Sequence, residues 1–373
     1  MTEFMKNVVF KNNTKYNQMI EINNKLNIKT SSTNKLVFVY SVPKVGSTTI
    51  VSSLRIFAAE KIDIIHVHDE TMLEILGNIN NTTVNEIIQF NQYIGRNVFV
   101  IDVYRNPIER KMSTFFEKIG SYHFNNVDDK INNYDVNAVI NRFNRIFPHI
   151  GNGDHFMDKY MINIPKEFDY KKKYLLIQEN GIKYLKLRLN DVNLWGKILT
   201  DTLQHNIMIV KDYETNNKAI SNLYHKFKQQ YKIPINYLEI LKTDKYFNYY
   251  NSDTEIASYI SEWDKKSCNK IKAYTQSQYD VYNEITMENS HLDYIQSQHY
   301  IDDGCKCNLC NIKRLNIRNK IIRGGQITEK IYHNDKKNKI ILKALLEQKY
   351  PRKIKQTAKN FTTEMKQIVY KIK

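Results

Sequence analysis

The chain has 373 residues, of which 42% are hydrophobic and 12% aromatic, and it carries a formal net charge of +17. A chain of this length and apolar content can bury a sizeable core, which excludes a disordered protein and allows one large domain or a domain with an appendage. No run of 18 apolar residues occurs and the first residues contain no long apolar core, so we expect neither a membrane anchor nor a signal peptide. These features predict a cytoplasmic protein.

The positive charge is concentrated toward the C-terminus. Residues 311–373 contain 18 Lys or Arg against four Asp or Glu, a net of +14 that leaves only +3 for residues 1–310. A segment of this kind can bind nucleic acid, an anionic membrane or a polyanionic sugar, or it can be a solvated tail. Nucleic acid or another polyanion is therefore the partner class predicted for this region.

Strand and helix patterns alternate from residue 34 onward. Residues 1–33 form a polar segment with one predicted helix, and the continuous apolar run over 36–40 predicts a buried strand. An apolar stripe at helical spacing follows, and further strands are predicted at 62–69 and 97–104. This alternation predicts an α/β domain over residues 34–265 with a central parallel sheet.

Three other regions complete the predicted organisation. Residues 121–170 are rich in Asn, Asp and Phe and predict an irregular insertion beside the site. The turn pair Asn180-Gly181 separates two further strands. Residues 266–373 are predicted to form a mostly helical, basic C-terminal extension.

The first strand runs into a turn suited to an anion. Its sequence, Pro43-Lys44-Val45-Gly46-Ser47-Thr48-Thr49, has the lysine two residues before the only glycine. A nucleoside-triphosphate P-loop, G-x-x-x-x-G-K-[ST], has its lysine after the last glycine. One glycine and three hydroxyls at a helix N-terminus can still present N–H groups and a positive dipole to an anionic group. A different phosphate loop and an ordinary capped helix are the alternatives.

Two motifs resemble one family. "PKVGSTTI" resembles the 5′-phosphosulfate loop of sulfotransferases that use 3′-phosphoadenosine 5′-phosphosulfate (PAPS), and "VYRNPIERKMSTF" resembles their 3′-phosphate element. "IIHVHDE", "YLKLRLNDVNLWGKIL" and "YHKFKQQYKIPINYLEIL" are similar to a bacterial and viral branch of capsular polysaccharide synthesis proteins. The resemblance covers residues 34–265. It implies a three-layer, P-loop-like sulfotransferase fold and sulfuryl transfer from PAPS to a hydroxyl acceptor, with a carbohydrate or glycan favoured.

The resemblance also implies roles for individual residues. Lys44 would contact the sulfuryl group and the leaving phosphate oxygen. The 5′-phosphate would be held by the turn, namely Val45, Gly46, Ser47, Thr48 and Thr49. Arg105 and Ser113 would hold the 3′-phosphate, although a strand-end arginine and a helix-surface serine can also be purely structural. Two features depart from the family pattern. Asn106 replaces an aspartate, and no clear adenine-binding element is present, since only Arg323-Gly324-Gly325 faintly resembles the family's late R-x-G segment.

Sulfuryl transfer needs a base for the acceptor hydroxyl, and histidine suits this role near neutral pH. His66 and His68 end the second predicted strand, where ligand sites of open α/β sheets lie, and their spacing places both on one face. We expect His68 to be the base because it is farther toward the carboxyl end and is followed by Asp69, which could hold the imidazole or raise its pKa. His66 would orient His68 or the acceptor; Asp69 and Glu70 are the next candidates for the base. A metal-binding or structural pair is the alternative.

A cysteine cluster lies in the C-terminal extension. The spacing of Cys307 and Cys310 is that of a zinc knuckle, and Cys305 or His299 could complete a tetrahedral site. A further ligand could come only from Cys268 or His291. Structural zinc, unligated thiols and a disulfide are the three interpretations.

Two other functions remain open for the whole chain. One is a nucleotide-dependent kinase, against which the absence of G-K-[ST] speaks. The other is a non-catalytic, transferase-like protein with a nucleic-acid-binding tail. The frequent use of Asn, Lys and Ile favours an A+T-rich genome, such as that of a virus or a protist, in which case host cytoplasm or a virion is the predicted location.

Overall fold

The computed structural model describes residues 10–117, 119, 134–210, 220–287, 315–316 and 318–324. Its centre is a five-stranded sheet with the strand order β2-β1-β3-β5-β4. The strands are β1 (Lys35–Tyr40), β2 (Ile62–Val67), β3 (Val98–Tyr104), β4 (Tyr174–Glu179) and β5 (Ile182–Arg188). Strand β1 pairs in parallel with β2 and β3, and β3 pairs in parallel with β5.

The expected parallel sheet is in fact mixed, because the edge strand β4 runs antiparallel to β5. The two strands are joined by Asn180 and Gly181, whose φ angles are +51° and +76°. Two consecutive residues with positive φ form the tight turn typical of a hairpin, whereas a parallel pair would need a crossover of a dozen or more residues. The turn that the sequence predicts therefore requires an antiparallel edge.

Helices cover both faces of the sheet. The α-helices are α1 (Asn13–Lys25), α2 (Ser47–Ala58), α3 (Glu70–Gly77), α4 (Val84–Tyr93), α5 (Pro107–Glu117), α6 (Val136–Ile146), α7 (His155–Asp158), α8 (Trp195–Leu203), α9 (Ser221–Gln230), α10 (Ile235–Lys242), α11 (Lys245–Tyr250), α12 (Asp253–Asp264) and α13 (Gln276–Met287). Short 3-10 helices span Phe147–His149 and Leu189–Leu194. The α/β class predicted from the alternating pattern is confirmed.

The two faces of the sheet bury different sides of each strand. In β1, Leu36 and Phe38 pack into a cluster that includes residues of α1 and α4, while Val37 and Val39 pack against α2 and α8. Alternate residues of a strand point to opposite faces, so a run that is apolar throughout requires cover on both sides. The sheet with its two helical layers thus accounts for the continuous apolar strands.

A third apolar cluster joins helices α5, α6, α9 and α10 and extends to Tyr282 in α13. Two contacts cross the expected boundary at residue 265: Ile233–Pro234 (β6) pairs in parallel with Ser267–Cys268 (β7), and Tyr282 is buried against the cluster. Residues 266–287 therefore pack against the preceding helices.

Part of the segment expected to be irregular is helical. Helix α6 begins after Asp135, whose side chain accepts hydrogen bonds from the N–H groups of Asn137 and Ala138. Its buried side chains include Val139, Phe143 and Ile146, which recur at helical spacing. The intervening Asn and Arg residues obscured this stripe in the sequence. Within the described ranges, no helix combines the length and the apolar character that a membrane span requires.

Candidate functional site

The predicted motifs meet at the point where the strand order reverses. Strand β1 lies between β2 and β3, so the chain leaves β1 toward one side and later returns on the other. Ligands of open α/β sheets bind in the crevice at the carboxyl ends of the strands at such a switch point. Lys44 follows β1 and Arg105 follows β3, and Arg105 Nη1 donates a hydrogen bond to the carbonyl oxygen of Lys44 at 2.9 Å. Two residues 61 positions apart are thus in contact at this crevice.

The turn after β1 has the backbone of an anion site. Gly46 has a φ of +98° and directly precedes α2 as its N-cap, where no side chain of the described residues provides a capping hydrogen bond. A Cβ at Gly46 would lie 3.0 Å from Leu189 Cδ1 and 3.3 Å from Trp195 Cη2. Helix geometry leaves the N–H groups of Ser47 and Thr48 without intrahelical acceptors, while that of Thr49 donates to the Gly46 carbonyl at 3.1 Å. The helix dipole adds a positive partial charge. The conformation and packing of this turn fit a phosphate-type group.

The Lys44 side chain reaches helix α5. Its Nζ lies 2.9 Å from Glu117 Oε2 in an ion pair whose side chains are 20% and 37% exposed. Glu109, Ser113 and Glu117 are spaced by four residues and therefore share one face of α5. Glu109 interacts electrostatically with Arg105, so the half-buried Ser113 lies between a neighbour of Arg105 and the partner of Lys44. Lys44 and Arg105 thus each interact with a glutamate on the face of α5 that carries Ser113.

Arg105 is largely buried beside aromatic and acidic groups. Burial lowers the pKa of its guanidinium from the ordinary value, while Tyr224 and Glu109 act in the opposite direction. A guanidinium remains charged despite such a shift. Arg105 therefore supplies a fixed positive charge next to the turn.

His66 contacts the turn. Its Nε2 shares a hydrogen bond of 3.0 Å with Ser47 Oγ, and the imidazole is fully buried. The rings of His66 and His68 pack edge to face with their centroids 4.8 Å apart. The expected common face is thus present, but His66 is positioned to orient the loop hydroxyl of Ser47 and is too buried to contact an acceptor.

His68 lies just past the end of β2 and has a defined tautomer. Its Nδ1 is 2.7 Å from the carbonyl oxygen of Ser41. A carbonyl only accepts, so Nδ1 carries the proton and Nε2 the lone pair. Burial lowers the pKa of His68, with the charges of Lys44 and Arg110 adding to this effect and the Ser41 hydrogen bond opposing it. The imidazole is therefore neutral at pH 7, the form that a general base requires.

The neighbouring carboxylates have hydrogen-bond partners other than the His68 imidazole. Asp69 does not hold the imidazole, since its side chain caps α3 by accepting from the N–H of Met72 at 3.1 Å. The charge of Asp69 raises the pKa of His68, but burial has the larger effect and the net shift is downward. Glu70 accepts from Tyr40 at 3.1 Å and pairs with Lys159 at 2.9 Å. Burial works to raise the pKa of Glu70, but its hydrogen-bonded partners bring it below the ordinary value.

His155 is a site residue that the sequence did not reveal. Its Nε2 donates a hydrogen bond to the carbonyl oxygen of His68, and its ring lies 4.7 Å from the Tyr40 ring. Burial lowers the pKa of His155 to about 4. The only local signal is that Asp154 precedes it as the cap of the short helix α7; nothing in the sequence relates it to His68.

A buried charge network supports this segment. Lys186 Nζ lies 2.8 Å from Asp102 Oδ2 and also pairs with Asp154 Oδ2, and Tyr250 donates to Asp154 Oδ1 at 3.0 Å. Burial raises the pKa of Asp102 to about 6, against the charge of Lys186. The network joins β3 and β5 to the residue that precedes His155. It therefore fixes the position of the His155 segment against the sheet.

Several predicted residues lie outside the described part of the chain. They are Cys305, Cys307, Cys310, His299, His291 and Gly325. Over the residues that the structure does describe, no group of three or more His, Cys, Asp or Glu side chains could hold a metal ion. Arg323 is exposed and Gly324, with a φ of +81°, follows it in the turn that ends this helical segment.

Comparison with known proteins gives no further guidance. No protein-family model, curated protein or solved structure matches this chain. The functional conclusion therefore depends on the motifs and on the geometry of the crevice.

Proposed function

We propose that the protein is a PAPS-dependent sulfotransferase with the three-layer sulfotransferase architecture, and that it transfers a sulfuryl group to a hydroxyl acceptor. The main support is the contact between Arg105 and the Lys44 carbonyl at the switch point. It joins the two regions that resemble the 5′- and 3′-phosphate elements of that family. A carbohydrate or glycan is the favoured acceptor, as the resemblance implies.

The turn residues would hold the nucleotide's 5′-phosphate. Gly46 allows the backbone to present the first N–H groups of α2, and Val45, Ser47, Thr48 and Thr49 surround them. His66 would orient the Ser47 hydroxyl through their shared hydrogen bond. Ser41 Oγ and Asn106 Oδ1 are buried and have no hydrogen-bond partner among the described residues. Ser41 follows β1 and Asn106 follows β3, so both atoms fit a polar ligand in the same crevice.

The reaction needs charge stabilisation and proton removal. PAPS, when bound, supplies an activated sulfuryl group for in-line transfer, a reaction that depends on positioning and electrostatics. Lys44 would place its ammonium beside the oxygens on which negative charge accumulates. His68 would accept the acceptor's proton at Nε2, because the Ser41 carbonyl fixes the proton on Nδ1. Arg105 and Ser113 would hold the 3′-phosphate.

Two accessory features belong to the proposal. The basic region 311–373 would contact nucleic acid or another polyanion, since its net charge is +14. Structural zinc at Cys305, Cys307, Cys310 and His299 remains a prediction from spacing alone.

Titration of the purified chain with 3′-phosphoadenosine 5′-phosphate in a calorimeter tests the proposed cofactor class. We expect binding to the wild type, and weaker binding by roughly 2–5 kcal/mol in Arg105→Ala if the ion pair is desolvated. Lys44→Ala should abolish sulfuryl transfer while the fold stays intact, and the exposed Lys197→Ala is the matched control. Binding of ATP in preference to the 3′-phosphorylated nucleotide would contradict the proposal and favour a kinase.

A further inference from the structure

The Lys44 ammonium has an acidic partner that neither motif predicts. Glu117 is the last residue of α5, and its Oε2 lies 2.9 Å from Lys44 Nζ. The main chain of Lys44 is held separately, because Arg105 donates to its carbonyl oxygen and its φ is +67°. The backbone of Lys44 is therefore held by Arg105, which lies just before α5, and its side chain is held by Glu117 at the end of α5.

The position of Glu117 places this ion pair within the nucleotide site. Glu117 is one turn beyond Ser113 on the same face of α5, and Ser113 is a proposed 3′-phosphate ligand. A carboxylate there competes with a bound anion for the Lys44 ammonium. The pair is partly solvated, with 20% of the Lys44 side chain and 37% of the Glu117 side chain exposed. A pair of this kind is weak enough for an anionic ligand to displace.

We propose that Glu117 is a positioning residue that holds Lys44 in the ligand-free protein and yields it to the nucleotide on binding. This inference rests on the proposed function. The exchange replaces one ionic partner of the ammonium by another, so no bond is formed or broken covalently. Its consequence is that the Lys44 ammonium stays with Glu117 until the nucleotide binds, and that breaking the ion pair lowers the nucleotide affinity.

Calorimetry with 3′-phosphoadenosine 5′-phosphate tests the exchange in the full chain. Glu117→Gln should bind the nucleotide about two- to fivefold more tightly than the wild type, the range expected for loss of one exposed ion pair. In a Lys44→Ala background, the same substitution should leave the affinity unchanged. Weaker or equal binding by Glu117→Gln would overturn the proposal, and so would a gain that persists without Lys44, because that gain would be general charge repulsion. Loss of the exposed carboxylate in Glu262→Gln is the matched control.

Chemical labelling separates this inference from the proposed function. An ammonium held against a carboxylate reacts slowly with acetic anhydride, so the labelling of Lys44 relative to Lys197 should rise severalfold in ligand-free Glu117→Gln. Unchanged labelling, with nucleotide binding intact, would overturn the role of Glu117 alone. Absence of nucleotide binding by the wild type would overturn the proposed function and the exchange together, whatever the labelling shows. A thermal unfolding scan checks that the variant folds.

Discussion

The His68 imidazole is held by a carbonyl, and this contact determines how it can act. The Ser41 carbonyl fixes the proton on Nδ1, while burial and the nearby cations keep the ring neutral. A neutral ring with the lone pair on Nε2 can accept a proton without first losing one. His66 and His68 therefore have different predicted roles although they lie two residues apart.

The pH dependence of turnover tests the role of His68. Because burial lowers the pKa of His68, the acidic limb of the pH–rate profile should lie below about 6.5, the ordinary value for histidine. His68→Ala should lower kcat by roughly 10²–10⁴-fold, leave nucleotide affinity nearly unchanged and remove the acidic limb. His66→Ala should mainly weaken nucleotide binding, because His66 contacts Ser47. An acidic limb that survives in His68→Ala would move the base elsewhere, with Asp69 and Glu70 the next candidates.

His155 makes stability depend on pH. Its pKa is about 4 in the folded state, against about 6.5 when unfolded. Between these values the unfolded chain binds the additional proton, so the stabilisation is complete above the unfolded pKa and is lost as the pH falls toward the folded one. The loss should reach roughly 3 kcal/mol between about pH 7 and pH 4.

Urea unfolding of the wild type and of His155→Gln at about pH 7 and pH 4 measures the contribution of His155 to the pH dependence of stability. Glutamine keeps a donor for the His68 carbonyl but does not titrate, so the variant should lose less stability on acidification. The comparison between proteins is needed because the raised pKa of Asp102 acts in the opposite direction, favouring the folded state at lower pH. Identical pH dependences would show that His155 is protonated equally in both states.

At the scale of elements, the junction of β1, the turn and α2 depends on one glycine. Gly46 needs a positive φ and has side chains of Leu189 and Trp195 close to the position of a Cβ. Any substitution of Gly46 therefore destabilises the protein through both backbone strain and overpacking. Gly95 is the matched control position, since its φ is +87°. A Cβ at Gly95 would have no atom of the described residues within 4 Å, apart from its chain neighbours.

Gly46→Ala should destabilise the protein by about 2–4 kcal/mol and should abolish nucleotide binding. Gly95→Ala should cost only the backbone term, about 1–2 kcal/mol, and leave binding intact. Urea unfolding and calorimetry on the two variants separate the contributions. Equal stability losses would mean that the contacts with Leu189 and Trp195 relax freely.

Local patterns predicted some elements and missed others for physical reasons. The β1 run is apolar throughout, which predicts a covered strand, and the Asn180-Gly181 pair predicts the turn between β4 and β5. Helix α6 lies in a segment predicted to be irregular, because polar residues interrupt its apolar stripe. Val139 and Phe143 of this stripe pack into a buried cluster. The predicted parallel sheet is wrong at its edge, because the tight turn at Asn180-Gly181 makes β4 and β5 antiparallel.

At the scale of the whole molecule, the charge is divided between a nearly balanced body and a basic C-terminal region. Part of this region contacts the body: Ile321 packs against the apolar cluster that includes α2, and Arg318 lies 5.7 Å from the centre of the Phe57 ring. Residues 325–373 follow and contain 13 Lys or Arg against four Asp or Glu. A truncation after Gly324 therefore removes charge while keeping these contacts.

The truncation tests the polyanion prediction. The full chain should bind random-sequence RNA or heparin with an affinity that falls steeply as salt rises, because binding releases counterions. The truncated chain should lose most of this affinity and keep its affinity for 3′-phosphoadenosine 5′-phosphate. Anisotropy titrations at two salt concentrations measure the effect. Equal polyanion binding by both chains would assign the charge to a solvated tail.

The sequence by itself determined the features that depend on near neighbours in the chain. These are the buried strands, the α/β class, the turn around Gly46 and the two motifs, since strand periodicity and positive φ are properties of short segments. Only the tertiary structure decided which distant groups meet: Arg105 with the Lys44 carbonyl, Glu117 with the Lys44 ammonium, and His155 with His68. Such partners are selected by the packing of whole elements around the sheet, and no local pattern carries that information.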